Sequence, residues 1–151
     1  MLPPIITEPS AAASQIVLFI ETLKLSAGKY VGRPFVLRDW QKQIIYHWFK
    51  EDKRGRRVVK QGLLSIARKQ GKSELVAGIA LAIMSLKSTR LENSQGIISA
   101  TTRDQASLIF RIISYFIMTD KFLFKQFLFS HKILFNFISF YGYRGDRERQ
   151  N

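Results

Sequence analysis

The run Ala67-Arg68-Lys69-Gln70-Gly71-Lys72-Ser73-Glu74 gathers residue types that can grip a phosphate. A glycine lets backbone pass close to an anion with no Cβ in the way. The lysine after it can set an ammonium against β- and γ-phosphates, and the serine hydroxyl can take one position on Mg²⁺. The N–H groups of a helix starting here would point at the same anion. Arg68, Lys69 and Lys72 crowd that helix start, where the backbone dipole disfavours cations. A bound polyanion removes this conflict; the plainer reading is a solvated basic turn. The usual glycine-rich phosphate loop opens with another glycine, and Ile66 stands at that position.

Such a loop needs a strand before it and a helix after it. Gly62-Leu63-Leu64-Ser65-Ile66-Ala67 is a short, mostly apolar run that suits a buried strand. Lys72 to Leu86 carries Leu75, Val76, Ile79, Ala80, Ile83 and Leu86 at helical spacing. Gly96 to Ala100 reads as a second strand after a polar connection, 87–95. Gln105 to about Met118 reads as another helix, with Ile109, Ile112, Ile113 and Phe116 inward. Strand–helix–strand–helix is a parallel crossover unit, so the expected class is α/β with helices on both sheet faces. Upstream, Ile16, Phe19, Ile20 and Leu23 predict a helix from Ser10 to about Leu25. A loop over 28–38 follows. A second helix, N-capped by Asp39 and running to about Lys50, is predicted from Trp40, Ile44, Ile45, Trp48 and Phe49.

Composition narrows the chemistry. The 151 residues are 46% apolar and 23% charged, a globular balance. Absence of cysteine excludes disulfides, thiolate metal sites and cysteine nucleophiles. His47 and His131 stand too far apart in sequence to suggest a histidine zinc site. A formal charge of +13 suits a polyanionic partner. The N-terminus lacks a basic leader, and Lys121, Lys125, His131 and Lys132 interrupt the Phe-rich stretch 121–141. Neither a signal peptide, a membrane span nor any membrane role is expected, and a cytoplasmic location is.

Three segments in this order carry a resemblance: Phe35-Val36-Leu37-Arg38-Asp39-Trp40-Gln41, then Gly62 to Ser73, then Ile98-Ser99-Ala100-Thr101-Thr102-Arg103-Asp104-Gln105-Ala106. Together they resemble the ATPase domain of the large terminase subunit of tailed bacteriophages, the motor that packages DNA into procapsids. That family's phosphate loop often lacks the first glycine and reads Arg-Lys-x-Gly-Lys-Ser, so Ile66 fits it. The resemblance implies an incomplete P-loop NTPase parallel sheet with flanking helices, preceded by two N-terminal helices. It implies ATP and Mg²⁺ as cofactors. Trp40 and Gln41 match the adenine-recognition element; a glutamine can pair with both the donor and acceptor edge of the base, and an aromatic can flank the ring. Core packing is the alternative for Trp40. Lys72 takes the phosphate role, Ser73 the magnesium role, and Arg68 that of the γ-phosphate arginine, which with Lys72 makes the catalytic pair. Lys69, Gln70, Gly71 and Glu74 complete the nucleotide-binding set. Thr101, Thr102 and Gln105 match the segment beyond the second strand, with no chemistry assigned. Partners implied are duplex DNA, a small terminase subunit, a portal and other motor copies.

The organisation read this way is an N-terminal helix and loop lead-in over 1–38, a partial P-loop ATPase domain over 39–120, and a Phe/Lys-rich tail over 121–151. A motor of this kind also needs a carboxylate after a third buried strand and a glutamate beside it to activate water. No such pair is found. Tyr115 to Asp120 continues a helical pattern, and Asp146 and Glu148 lie in a polar tail. Eight of the twelve phenylalanines fall between 116 and 140, and no acid occurs from Lys121 through Arg144. This shift suggests a truncated or frameshifted product without the nuclease domain; an authentic helical tail over 121–141 is the alternative. The family is an ATPase with an endonuclease, but without that acid pair and the nuclease domain the chain alone is expected to bind Mg-nucleotide weakly and to hydrolyse it negligibly. Two other functions also stand open: a helicase-like P-loop translocase, and a non-enzymatic basic protein that binds nucleic acid by charge.

Overall fold

In the computed structural model, the described residues are 5–86, 96–100 and 102–128. Their regular structure is helical. It comprises α1 (Ala11–Thr22), a 3-10 turn (Gly28–Tyr30), α2 (Asp39–Trp48), α3 (Lys72–Ser85), α4 (Arg103–Thr119) and α5 (Lys121–Leu128).

The α/β expectation is therefore corrected: among the described residues there is no parallel sheet and no strand beyond two isolated antiparallel bridges, Lys24 with Pro34 and Glu51 with Arg57. The runs 62–67 and 96–100 belong to no ladder, and each leaves a large apolar side chain in solvent, Leu63 at 93% exposure and Ile97 at 78%. An apolar run marks burial only where neighbouring backbone supplies its hydrogen bonds. Among the described residues neither run has such a neighbour, and both are irregular.

The helices follow their capping and apolar signals closely. Ser10 Oγ accepts from Ala13 N–H at 3.2 Å and starts α1. The same hydroxyl donates to Phe49 O at 2.7 Å, which ties the start of α1 to the end of α2. The N-cap of α2 is Arg38 and not Asp39, because the Gln41 side chain reaches back to take the Arg38 N–H at 2.9 Å. Asp39 becomes the first helical residue, where a carboxylate suits the dipole. The helix stops at Trp48, short of Lys50. Thr102 Oγ1 accepts from Gln105 N–H at 3.3 Å and caps α4, which gives both residues a structural task. Asp120 takes the N–H groups of Phe122 and Leu123 at 2.8 and 3.0 Å and starts α5. That carboxylate is engaged in capping. Within the tail, residues 121–128 form α5. The stretch 129–141, the connection 87–95, Thr101, and the tail acids Asp146 and Glu148 lie outside the described residues.

Packing runs in series. α1 packs on α2 and on α3; α4 packs on α3 and on α5. Ile16 and Ile20 of α1, Ile45 of α2, Leu75 and Leu81 of α3 and Phe116 of α4 are fully enclosed in one core. Gly78 lets α3 come close to α1: a Cβ there would lie 3.3 Å from Ile20 Cγ1. A cross-helix ion pair, Lys42 Nζ to Glu21 at 2.9 Å, joins α2 to α1 and raises the lysine pKa through that hydrogen bond.

Candidate phosphate-binding bend

Residues 68–71 form a solvent-exposed bend that delivers the chain into α3. Gly71 is the N-cap of α3 at φ +76°, in the left-handed region where glycine escapes the Cβ penalty. Lys69 is also left-handed, at φ +64°, and is the one non-glycine residue of positive φ among the described residues. Left-handed residues alternating with right-handed ones turn successive N–H groups toward one side, a concavity that suits an anion. No side chain caps the start of α3, so its first N–H groups have no side-chain acceptor there.

Lys72 closes the bend from within. Its Nζ donates to Ile66 O at 2.9 Å, linking the entry of the bend to its exit. An ammonium carries three donors, so two remain for another acceptor. Arg68 and Lys69 are exposed and make no hydrogen bond or ion pair among the described residues. Gln70 accepts a long contact, 3.5 Å, from Arg38 Nη1.

Gln41 sits under the bend. It is 4% exposed, its Oε1 is held by the Arg38 N–H, and its Nε2 stands 3.7 Å from where a Gly71 Cβ would be. The glutamine thus joins the start of α2 to the start of α3. Trp40 is half-buried and packs against the core. The two neighbours are therefore placed differently, one beneath the bend and one on the hydrophobic body.

Glu74 is held by the loop that follows α1. Its Oε1 accepts from Ser26 N at 2.8 Å, Ser26 Oγ at 2.9 Å and Ala27 N at 3.1 Å. This carboxylate latches the first turn of α3 to the loop that follows α1. Glu74→Ala should cost about 1–2 kcal/mol, since hydrogen bonds to a charged acceptor are among the stronger ones and this site is only half-buried. Urea unfolding of the variant beside the wild type, with unchanged m, measures it. The sequence assigns no site role to Arg38, Ser26, Ala27 or the Ile66 carbonyl. The Arg38 contact had a faint signal, a cation just before the glutamine; the Ser26 latch had none, because the partners are far apart in the chain.

The donor set suits a magnesium ion arriving with its nucleotide. Ser73 offers a half-buried hydroxyl, and no cluster of three or more acidic or histidine side chains is present among the described residues. Mg²⁺ commonly keeps several waters and takes phosphate oxygens beside one or two protein oxygens, so the hydroxyl fits one position on such an ion.

A bend of this geometry sets exposed cations beside a helix start with no side-chain cap, an arrangement whose chemistry suits an anion. The model of the terminase large subunit ATPase domain matches residues 39–149, and the chain belongs to that family. It is similar to the "Terminase, large subunit" of Enterobacteria phage HK97, with 33% identity over 99 residues. The likeness covers 65% of this chain and 19% of that relative, so the chain spans about a fifth of its length. No solved structure matches. No helix among the described residues is long and apolar enough to cross a membrane.

Proposed function

We propose that the bend over 68–73 binds the triphosphate of Mg-ATP, and that the chain is the ATP-binding part of a viral DNA-packaging motor. In the whole protein, hydrolysis would drive translocation of duplex DNA. The carrying observation is the glycine-ended, cation-rich bend at the start of α3, in a chain whose family is an ATPase domain.

Gly71 and the first N–H groups of α3 cradle the phosphates. Lys72 uses its two remaining donors on the β- and γ-oxygens, and Arg68 places a planar fork on the γ-phosphate. Ser73 holds one position on Mg²⁺, which when bound neutralises phosphate charge. Gln41 holds the bend from below, so its part in adenine recognition would need the carbonyl now on Arg38 N–H to be released. Trp40 flanks the base only through its exposed part. Lys69, Gln70 and Glu74 shape the loop around these contacts. The partners that go with this function are duplex DNA, a small terminase subunit, a portal and further motor copies, in the cytoplasm of a bacterial host.

Equilibrium binding of a fluorescent ATP analogue tests the reading. Lys72→Ala should weaken binding about tenfold or more, the worth of a lost charge-assisted hydrogen bond. Equal affinity of wild type and variant would remove the bend from the nucleotide site. Steady-state turnover by the chain alone should be negligible, because no water-activating acid faces the bend among the described residues.

A further inference from the structure

The segment between α2 and the bend holds a second, separately organised cationic feature. Residues 51–57 fold into a tight loop closed by the Glu51–Arg57 bridge, with Asp52 N donating to Arg56 O and Gly55 N donating to Asp52 O, each at 2.9 Å. Gly55 takes φ +69° at its tip. Asp52 is the organiser. Its Oδ1 accepts from Arg54 N at 2.8 Å and Arg56 N at 2.9 Å, and its Oδ2 meets the Arg56 guanidinium at 3.0 Å. The backbone N–H of Arg56, then that of Arg54, holds this carboxyl below the usual carboxylate range.

The charges are divided. Arg57 anchors the loop to the body, with Nε on Trp48 O at 3.1 Å and its guanidinium 4.3 Å from the Phe49 ring centre. Asp52 is matched by Arg56, whose side chain is still 68% exposed. Lys53 and Arg54 are exposed and make no side-chain hydrogen bond or ion pair among the described residues. One acid is thus spent on fixing the backbone, and the outer surface is left cationic. A loop ordered beforehand loses little freedom on binding.

We propose that this loop is a preformed contact for the phosphate backbone of duplex DNA, with Lys53, Arg54 and Arg56 as its cations. The proposal rests on the DNA half of the function above and not on its nucleotide half. An anionic membrane is the poorer occupant, because the tip Lys53-Arg54-Gly55-Arg56 has no apolar side chain to insert. Phosphate contacts of this kind position a duplex without reading its sequence.

The test is fluorescence anisotropy of the purified chain with two labelled duplexes of unrelated sequence, across a salt series. The double variant Lys53→Ser/Arg54→Ser should weaken binding to both duplexes alike, and the slope of log K against log salt should fall by about 2, close to one per lost phosphate contact. The control Lys121→Ser/Lys125→Ser removes the same charge from α5 and should leave the slope unchanged. Asp52→Ala separates order from charge: it raises the net charge, yet should weaken binding because the loop loses its brace. An unchanged slope in the loop variant, an equal fall in the control, tighter binding by Asp52→Ala, or loop-dependent binding to phosphatidylserine vesicles without binding to DNA would each overturn the proposal. The loop variant should bind the ATP analogue as the wild type does, so failure here is distinct from failure of the nucleotide site.

Discussion

Phe116→Ala should lower stability by about 3–5 kcal/mol, the largest effect expected of any single substitution considered. Phe116 is the bulkiest of the fully enclosed side chains and sits on α4 where that helix packs between α3 and α5. Removing the ring loses its transfer energy and leaves a void that rigid helices cannot close. Small domains have only about 5–15 kcal/mol in total, so the variant should stand near its unfolding threshold at ambient temperature. Chemical denaturation followed by far-UV circular dichroism should show a midpoint displaced far to lower denaturant. A loss under about 1 kcal/mol would mean that the α3–α4 contact is not part of the cooperative core.

Gly71→Val should abolish measurable nucleotide binding and cost about 2 kcal/mol of stability. The backbone there is left-handed, a region costing roughly 1–2 kcal/mol for a residue with Cβ and more for a β-branched one. The added side chain would also press toward Gln41 Nε2, 3.7 Å from the first added carbon, and stand where the proposed site has phosphate approach. Two readouts separate these effects: unfolding reports the strain, and the ATP analogue reports the obstruction. The binding loss should exceed what the unfolded fraction explains. A Gly71→Val chain that stays folded and binds with wild-type affinity would show that phosphate does not approach this glycine.

The helices were legible because their signals are local. Ser10 before an apolar stripe, the periodic run after Lys72 and the Ile112–Phe116 face each announce a helix within a few residues, and each is found. The bend was legible for the same reason, since Gly71 marks a helix start as well as a turn. The sheet was not. The apolar runs Gly62–Ala67 and Gly96–Ala100 look like strands by composition, but strand formation depends on partners elsewhere in the chain, and no residue inside the run encodes whether they are present. The tasks of Gln41 and Glu74 were hidden for a related reason: each depends on a tertiary contact, with Gly71 and with Ser26, that no sequence spacing reveals. Family likeness named both residues and left their contacts to geometry.

Helix α1 carries none of the groups around the bend, yet it packs on both the helix that brings Gln41 and the helix that begins at Gly71. If the bend is the phosphate site proposed above, α1 works as a jig: Ile16 and Ile20, enclosed behind it, set the spacing between floor and rim. Reshaping those two side chains would then retune the grip from behind, leaving every residue of the mouth as it was.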